Sequence, residues 1–141
     1  MRKSLSRTLG VAILLAGAWA GGCSESAADR SDAAFQIDQA RLMLESLRTR
    51  FEQGVVRTTP QDAAYENAGL YVTGKLARTI NKRVPEAPLR EKLAGLAQQL
   101  SDTFKEKIEA KVNAPEPDFQ AGMAGIDECL AIVKQMQDAL K

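Results

Sequence analysis

From Ile37 onward the apolar residues fall on four one-sided stripes, separated by turns that hold the proline residues. In the first stripe Ile37, Ala40, Leu44, Leu47 and Phe51 recur at alternating spacings of three and four, the period of a helix that buries one face. It predicts a helix over Asp32 to Gln53, capped by Ser31 or Asp32. Gly54 is the left-handed stop, with Val55 packing back on the last turn. The second stripe is Tyr65, Ala68, Val72, Leu76 and Ile80, and its helix is expected to open at Thr59-Pro60. Thr59 would cap, Pro60 would take the first helical position and Asp62 would favour the positive end of the dipole.

Val84-Pro85-Glu86-Ala87-Pro88 ends that helix, because neither proline continues the one before it. The third stripe is Leu89, Leu93, Leu96, Leu100, Phe104 and Ile108, ending near Val112. Asn113 to Asp118, with Pro115 and Pro117, is the next rigid turn. The fourth stripe is Phe119, Met123, Ile126, Leu130, Val133, Met136 and Leu140. Each segment is about 22–25 residues, or about 33–37 Å long. Strand-like alternation and internal repeats are both lacking. Residues 32–141 are therefore expected to be all-α, an up-down-up-down four-helix bundle with short connections. A three-helix core with a detached first helix and a dimer of helical hairpins are the alternatives.

Ahead of the stripes comes a different composition. Arg2, Lys3 and Arg7 precede an uncharged run from Leu9 to Ala20. At about 12 residues it has the length of a signal-peptide core and falls short of the about 20 that span a bilayer. Basic residues stay with anionic lipid on the cytoplasmic side while the apolar run enters the translocation site.

Ala20-Gly21-Gly22-Cys23 resembles the lipobox of bacterial lipoproteins, with Ala20 where the family usually has Leu. The resemblance implies a signal peptide over 1–22, cleavage before Cys23, a diacylglycerol on its thiol, and often an acyl chain such as palmitate on the new N-terminus. Residues 23–31, CSESAADRS, then read as a short flexible lipidated tether that would hold the domain up to roughly 30 Å from lipid. Ser24 after the cysteine points to the outer membrane, facing the periplasm. Ala18-Trp19-Ala20 also fits an ordinary signal peptidase, which would release a soluble periplasmic protein beginning at Gly21. A short uncleaved anchor is the third option.

Removing residues 1–22 leaves 119 residues and takes three basic residues, so the net charge moves from +1 to −2. That balance argues against nucleic acid as a partner. The chain has no histidine. The usual general base, the Ser-His and Cys-His nucleophile pairs, a haem His and the Glu-x-x-His pairs of di-iron bundles cannot be written. No cofactor, metal or catalytic residue is assigned. With Cys23 lipidated, Cys129 is a lone thiol beside the fourth stripe, expected to be buried. With Cys23 free, a disulfide between the two becomes an option.

Some residues stand apart. Gly69 and Gly74 lie inside the second helix, where they allow close helix approach or room for a ligand or bend. Asp127-Glu128 reads as solvated surface. Lys75, Arg78, Lys82 and Arg83 form a basic stripe, read as dipole complement or as a membrane-facing surface. The acids Asp29, Asp32, Asp38, Glu86 and Glu91 at the same end weaken the second reading. Tyr65 fits the core, whereas Tyr71 falls off the stripe and is expected at the surface. The functional expectation is a non-enzymatic, lipid-anchored envelope protein that binds a protein or envelope partner through a bundle domain. The alternative is a module holding an apolar small molecule in the bundle interior.

Overall fold

The computed structural model describes residues 18–141, with side chains from Asp29 onward. Among these residues the chain is all-helical, with four rods. The first, α1, is Ala18–Glu52. The second, α2, joins Ala64–Leu70, a π-helical turn Tyr71–Lys75 and Leu76–Arg83. The third, α3, joins Ala87–Thr103, a longer π-helical turn Phe104–Glu109 and Ala110–Val112. The fourth, α4, is Phe119–Ala139. α1 packs on α2 and α4, and α3 packs on the same two.

α1 starts upstream of the expected Asp32, so residues 23–31 are helical rather than an irregular tether. Ala27 and Ala28 favour helix, and no proline or glycine interrupts Ser24 to Gln53. Its far end follows expectation. Gly54 has φ 70°, the Val55 N–H donates to Arg50 O at 3.1 Å and the Gly54 N–H to Phe51 O at 3.0 Å. Those two bonds satisfy carbonyls that the helix end would otherwise leave open.

The start of α2 is a correction. Thr59-Pro60 belongs to the turn, and the helix begins at Ala64. Asp62 is the cause. Its carboxylate accepts from the Thr58 N–H at 2.9 Å and from the Ala64 N–H at 3.0 Å, and it pairs with Arg50. Both ion-pair side chains are mostly buried. This pair ties the loop to the end of α1.

The core takes the first two stripes whole: Ile37, Ala40, Leu44, Leu47 and Phe51 from α1, then Tyr65, Ala68, Val72, Leu76 and Ile80 from α2. From α3 come Leu93, Leu100, Phe104 and Ile108, and from α4 Ile126, Val133 and Met136. Leu89, Leu96, Phe119, Met123, Leu130 and Leu140 pack against it only half-buried.

The two π turns have a cause in spacing. α1 alternates threes and fours, an average of 3.5, close to the 3.6 of an α-helix. α2 instead buries Val72, Leu76, Ile80 and Val84, and α3 buries Leu100, Phe104, Ile108 and Val112. Each is a run of fours, and each step of four overshoots a regular turn by about 40°. A π turn holds more residues per turn and takes that excess back.

α4 meets α3 through glycine. A Cβ on Gly125 would lie 2.7 Å from Lys107 O and 2.9 Å from its carbonyl carbon, both backbone atoms. One on Gly122 would lie 3.1 Å from Val112 and 3.2 Å from the Phe51 ring. The helices touch where they lack side chains. Gly125→Ala should therefore destabilise the protein by about 1–3 kcal/mol in chemical denaturation, since backbone must move. Gly95→Ala, with open space around its Cβ on exposed α3, should instead stabilise by up to about 1 kcal/mol. Equal effects at the two positions would reject the close approach.

Candidate functional site

Cys23, the expected lipidation site, lies on the backbone of α1, and its side chain lies outside the described residues, as does the leader through Gly17. The ends of three rods meet downstream of it. Arg30 of α1 pairs with Glu86 before α3 at 2.9 Å, and Arg83 of α2 with Asp32 of α1 at 3.4 Å. Asp38 on α1 binds Arg41 at 2.8 Å. The expected adjacency of the end of α2 with the start of α1 thus holds, and three of the acids there, Asp32, Asp38 and Glu86, are already paired.

Lys75, Arg78, Lys82 and Arg83 are all exposed, but they do not act alike. Arg83 is engaged by Asp32. Lys75 and Arg78 lie higher on the rod and line a surface groove of about 630 Å³ between α2 and Met43 of α1. Its other walls are Asn67, Leu70, Tyr71, Thr73 and Gly74. The Lys75 ammonium sits 5.4 Å from the Tyr71 ring centroid, a cation–π distance. The Arg78 guanidinium folds over Gly74, 3.5 Å from where a Cβ would stand.

Tyr71 is a second correction. It is buried, not exposed, because it opens the π turn and is rotated toward α1. Its hydroxyl donates to Gln36 O at 2.9 Å and also meets the Gln36 side chain. Burial, with Asp32 nearby, raises its pKa. In the same turn Thr73 Oγ1 donates to Gly69 O at 2.6 Å. Gly69 lets Phe104 approach to 3.4 Å of its Cβ position, while Gly74 lines the groove beneath Arg78. That groove lies on the outside of the domain rather than in the interior.

Asp127 and Glu128 are exposed, and Asp127 pairs with Arg48 at 2.8 Å. No cluster of three or more metal-ligating side chains occurs among the described residues, and no helix there is long and apolar enough to cross a membrane. Sequence reasoning missed the groove, although Leu70 carried a signal. It is 71% exposed, a leucine set against the stripe of its own helix.

Cys129 is fully buried on α4. Burial, with Glu128 adding its charge, pushes the thiol up to about 12 from the ordinary 9.0. A thiolate is the reactive form, so the folded protein should resist thiol reagents at neutral pH and label fully only once denatured. The unfolded chain loses this proton near pH 9.0 and the folded chain holds it to about 12. Stability from this group is thus complete below pH 9 and declines as pH rises through that interval. Cys129→Ala should remove that part of the decline, measured by denaturation at several pH values. Rapid labelling of the native protein would refute the assignment. Comparison of the chain with protein families, with curated proteins and with solved structures found no match.

Proposed function

We propose that the protein is a lipid-anchored, non-catalytic component of a bacterial cell envelope, held by Cys23 in the outer membrane and presenting its helical domain to a partner in the periplasm. The observation that carries this reading is the order of residues at the start of the chain. A basic leader, an apolar run of signal-peptide length and Ala20-Gly21-Gly22 lead directly to a cysteine. Membrane attachment through two acyl chains or more is stable, whereas one is marginal.

The domain is an up-down-up-down bundle on this reading. The pairs Arg30–Glu86 and Arg83–Asp32 at one end support it, as does the packing of each rod on two neighbours. Cys23 then belongs to the end of the bundle where Lys82 and Arg83 lie, so those two cations face lipid headgroups. Phe35 and Leu42, two turns apart on α1, are 58% and 44% exposed and offer an apolar contact for the partner.

Expression with the native leader in a diderm bacterium tests the anchor. Mass spectrometry should find Cys23 as the modified N-terminal residue, and Cys23→Ala should move the protein from the membrane to the soluble fraction. An unmodified terminus at Gly21 would overturn the reading.

A further inference from the structure

The groove between α1 and α2 has the composition of a ligand site. Its volume, about 630 Å³, lies within the roughly 300–1,000 Å³ usual for small-molecule pockets. Met43, the Tyr71 ring and Leu70 supply apolar walls, and the exposure of Leu70 is the highest among the large apolar side chains described. Two cations stand beside them. Among the described residues, Arg30, Arg41, Arg48, Arg50, Arg57 and Arg83 each pair with a carboxylate. Arg90 donates to Val84 O and Pro85 O. Arg78 does neither, and Lys75 is engaged only by the Tyr71 ring. The groove between α3 and α4 makes the contrast: its lining sets a carboxylate, Asp138, beside Lys92, whereas no carboxylate lines this one.

Local backbone shapes the wall of this groove. The π turn Tyr71–Lys75 turns the Tyr71 ring inward to form a wall, and Gly74 leaves its backbone bare beneath the Arg78 guanidinium. Single π turns inside α-helices often mark functional sites. Two cations set among apolar walls select one chemistry, a ligand with an anionic head and a hydrocarbon body.

We propose that this groove binds a free amphiphilic anion, a single acyl chain ending in a carboxylate or phosphate. The head is held by Lys75 and Arg78, and the chain lies along Met43, Leu70 and Tyr71. Recognition of this ligand needs nothing of Cys23, so it stands or falls separately from the anchor.

The test uses the full chain in zwitterionic phosphatidylcholine nanodiscs, with methionine methyl groups labelled for NMR and octanoate as the probe. Octanoate should shift the Met43 methyl signal saturably and leave Met123 and Met136 in place. Octanol should need roughly tenfold more, as expected for losing a charge-assisted hydrogen bond. The pair Lys75→Gln and Arg78→Gln, both at exposed positions, should bring octanoate down to the level of octanol while Met136 keeps its native shift. Lys134→Gln on α4 should change nothing. Equal response to octanol and octanoate, parallel shifts at Met136, or an unchanged double variant would each overturn the proposal. Saturation by inorganic phosphate alone would make the groove a plain anion site and overturn it too. A Met43 shift in nanodiscs of anionic phosphatidylglycerol without octanoate would assign the groove to bilayer lipid instead of a free ligand.

Discussion

One aromatic cluster ties the four rods together. Phe51 comes from α1, Tyr65 from α2, Phe104 from α3 and Phe119 from α4, one ring from each. Their centroids run 5.5 Å from Phe119 to Phe51, 6.4 Å from Phe51 to Tyr65 and 6.2 Å from Tyr65 to Phe104. Each such contact is worth about 0.5–1.5 kcal/mol beyond the area it buries. The larger point is steric. Rings of this size need seats, and Gly122 beneath Phe51 and Gly69 beneath Phe104 provide them. Without those glycines the rods would stand further apart and the aliphatic layers would lose contact. The Arg50–Asp62 pair holds the adjoining loop in place at this end.

Much of this was legible in the sequence because stripe and core are the same physical fact. A helix that packs on one side must repeat near 3.6, and Ile37 to Phe51 could do little else. The start of α2 was not legible in that way. Thr59-Pro60 has the chemistry of a helix opening, but Asp62 bonds Thr58 and Ala64 at once and favours a turn. That choice depends on Arg50 from the neighbouring helix, and a partner brought by tertiary packing leaves no local trace.

The groove lay between these cases. Lys75 and Arg78 were visible as a stripe, yet the pattern could not say that Lys82 and Arg83 lie outside the groove. Nor could it bring Met43 from another rod to the same place. Tyr71 misled because its position was read on an α-helical wheel, and the wheel fails inside a π turn. The warning was present. Val72, Leu76, Ile80 and Val84 are spaced by fours without a three between them, a run that no straight α-helix keeps on one face.

Those π turns also bear on how the chain can change in length. Removing one residue from the interior of a regular helix turns everything beyond it by about 100°, and the buried face with it. Tyr71–Lys75 and Phe104–Glu109 are where α2 and α3 already carry a surplus. Loss of one residue at either place would return the backbone to an ordinary α turn, and the apolar residues beyond would keep their bearing on the core. In α2 the same loss would swing Tyr71 out of its place and close the trough beside it. The surplus residue of α2 is therefore dispensable to the core and indispensable to the groove, so a chain that kept only what folding requires could shed it.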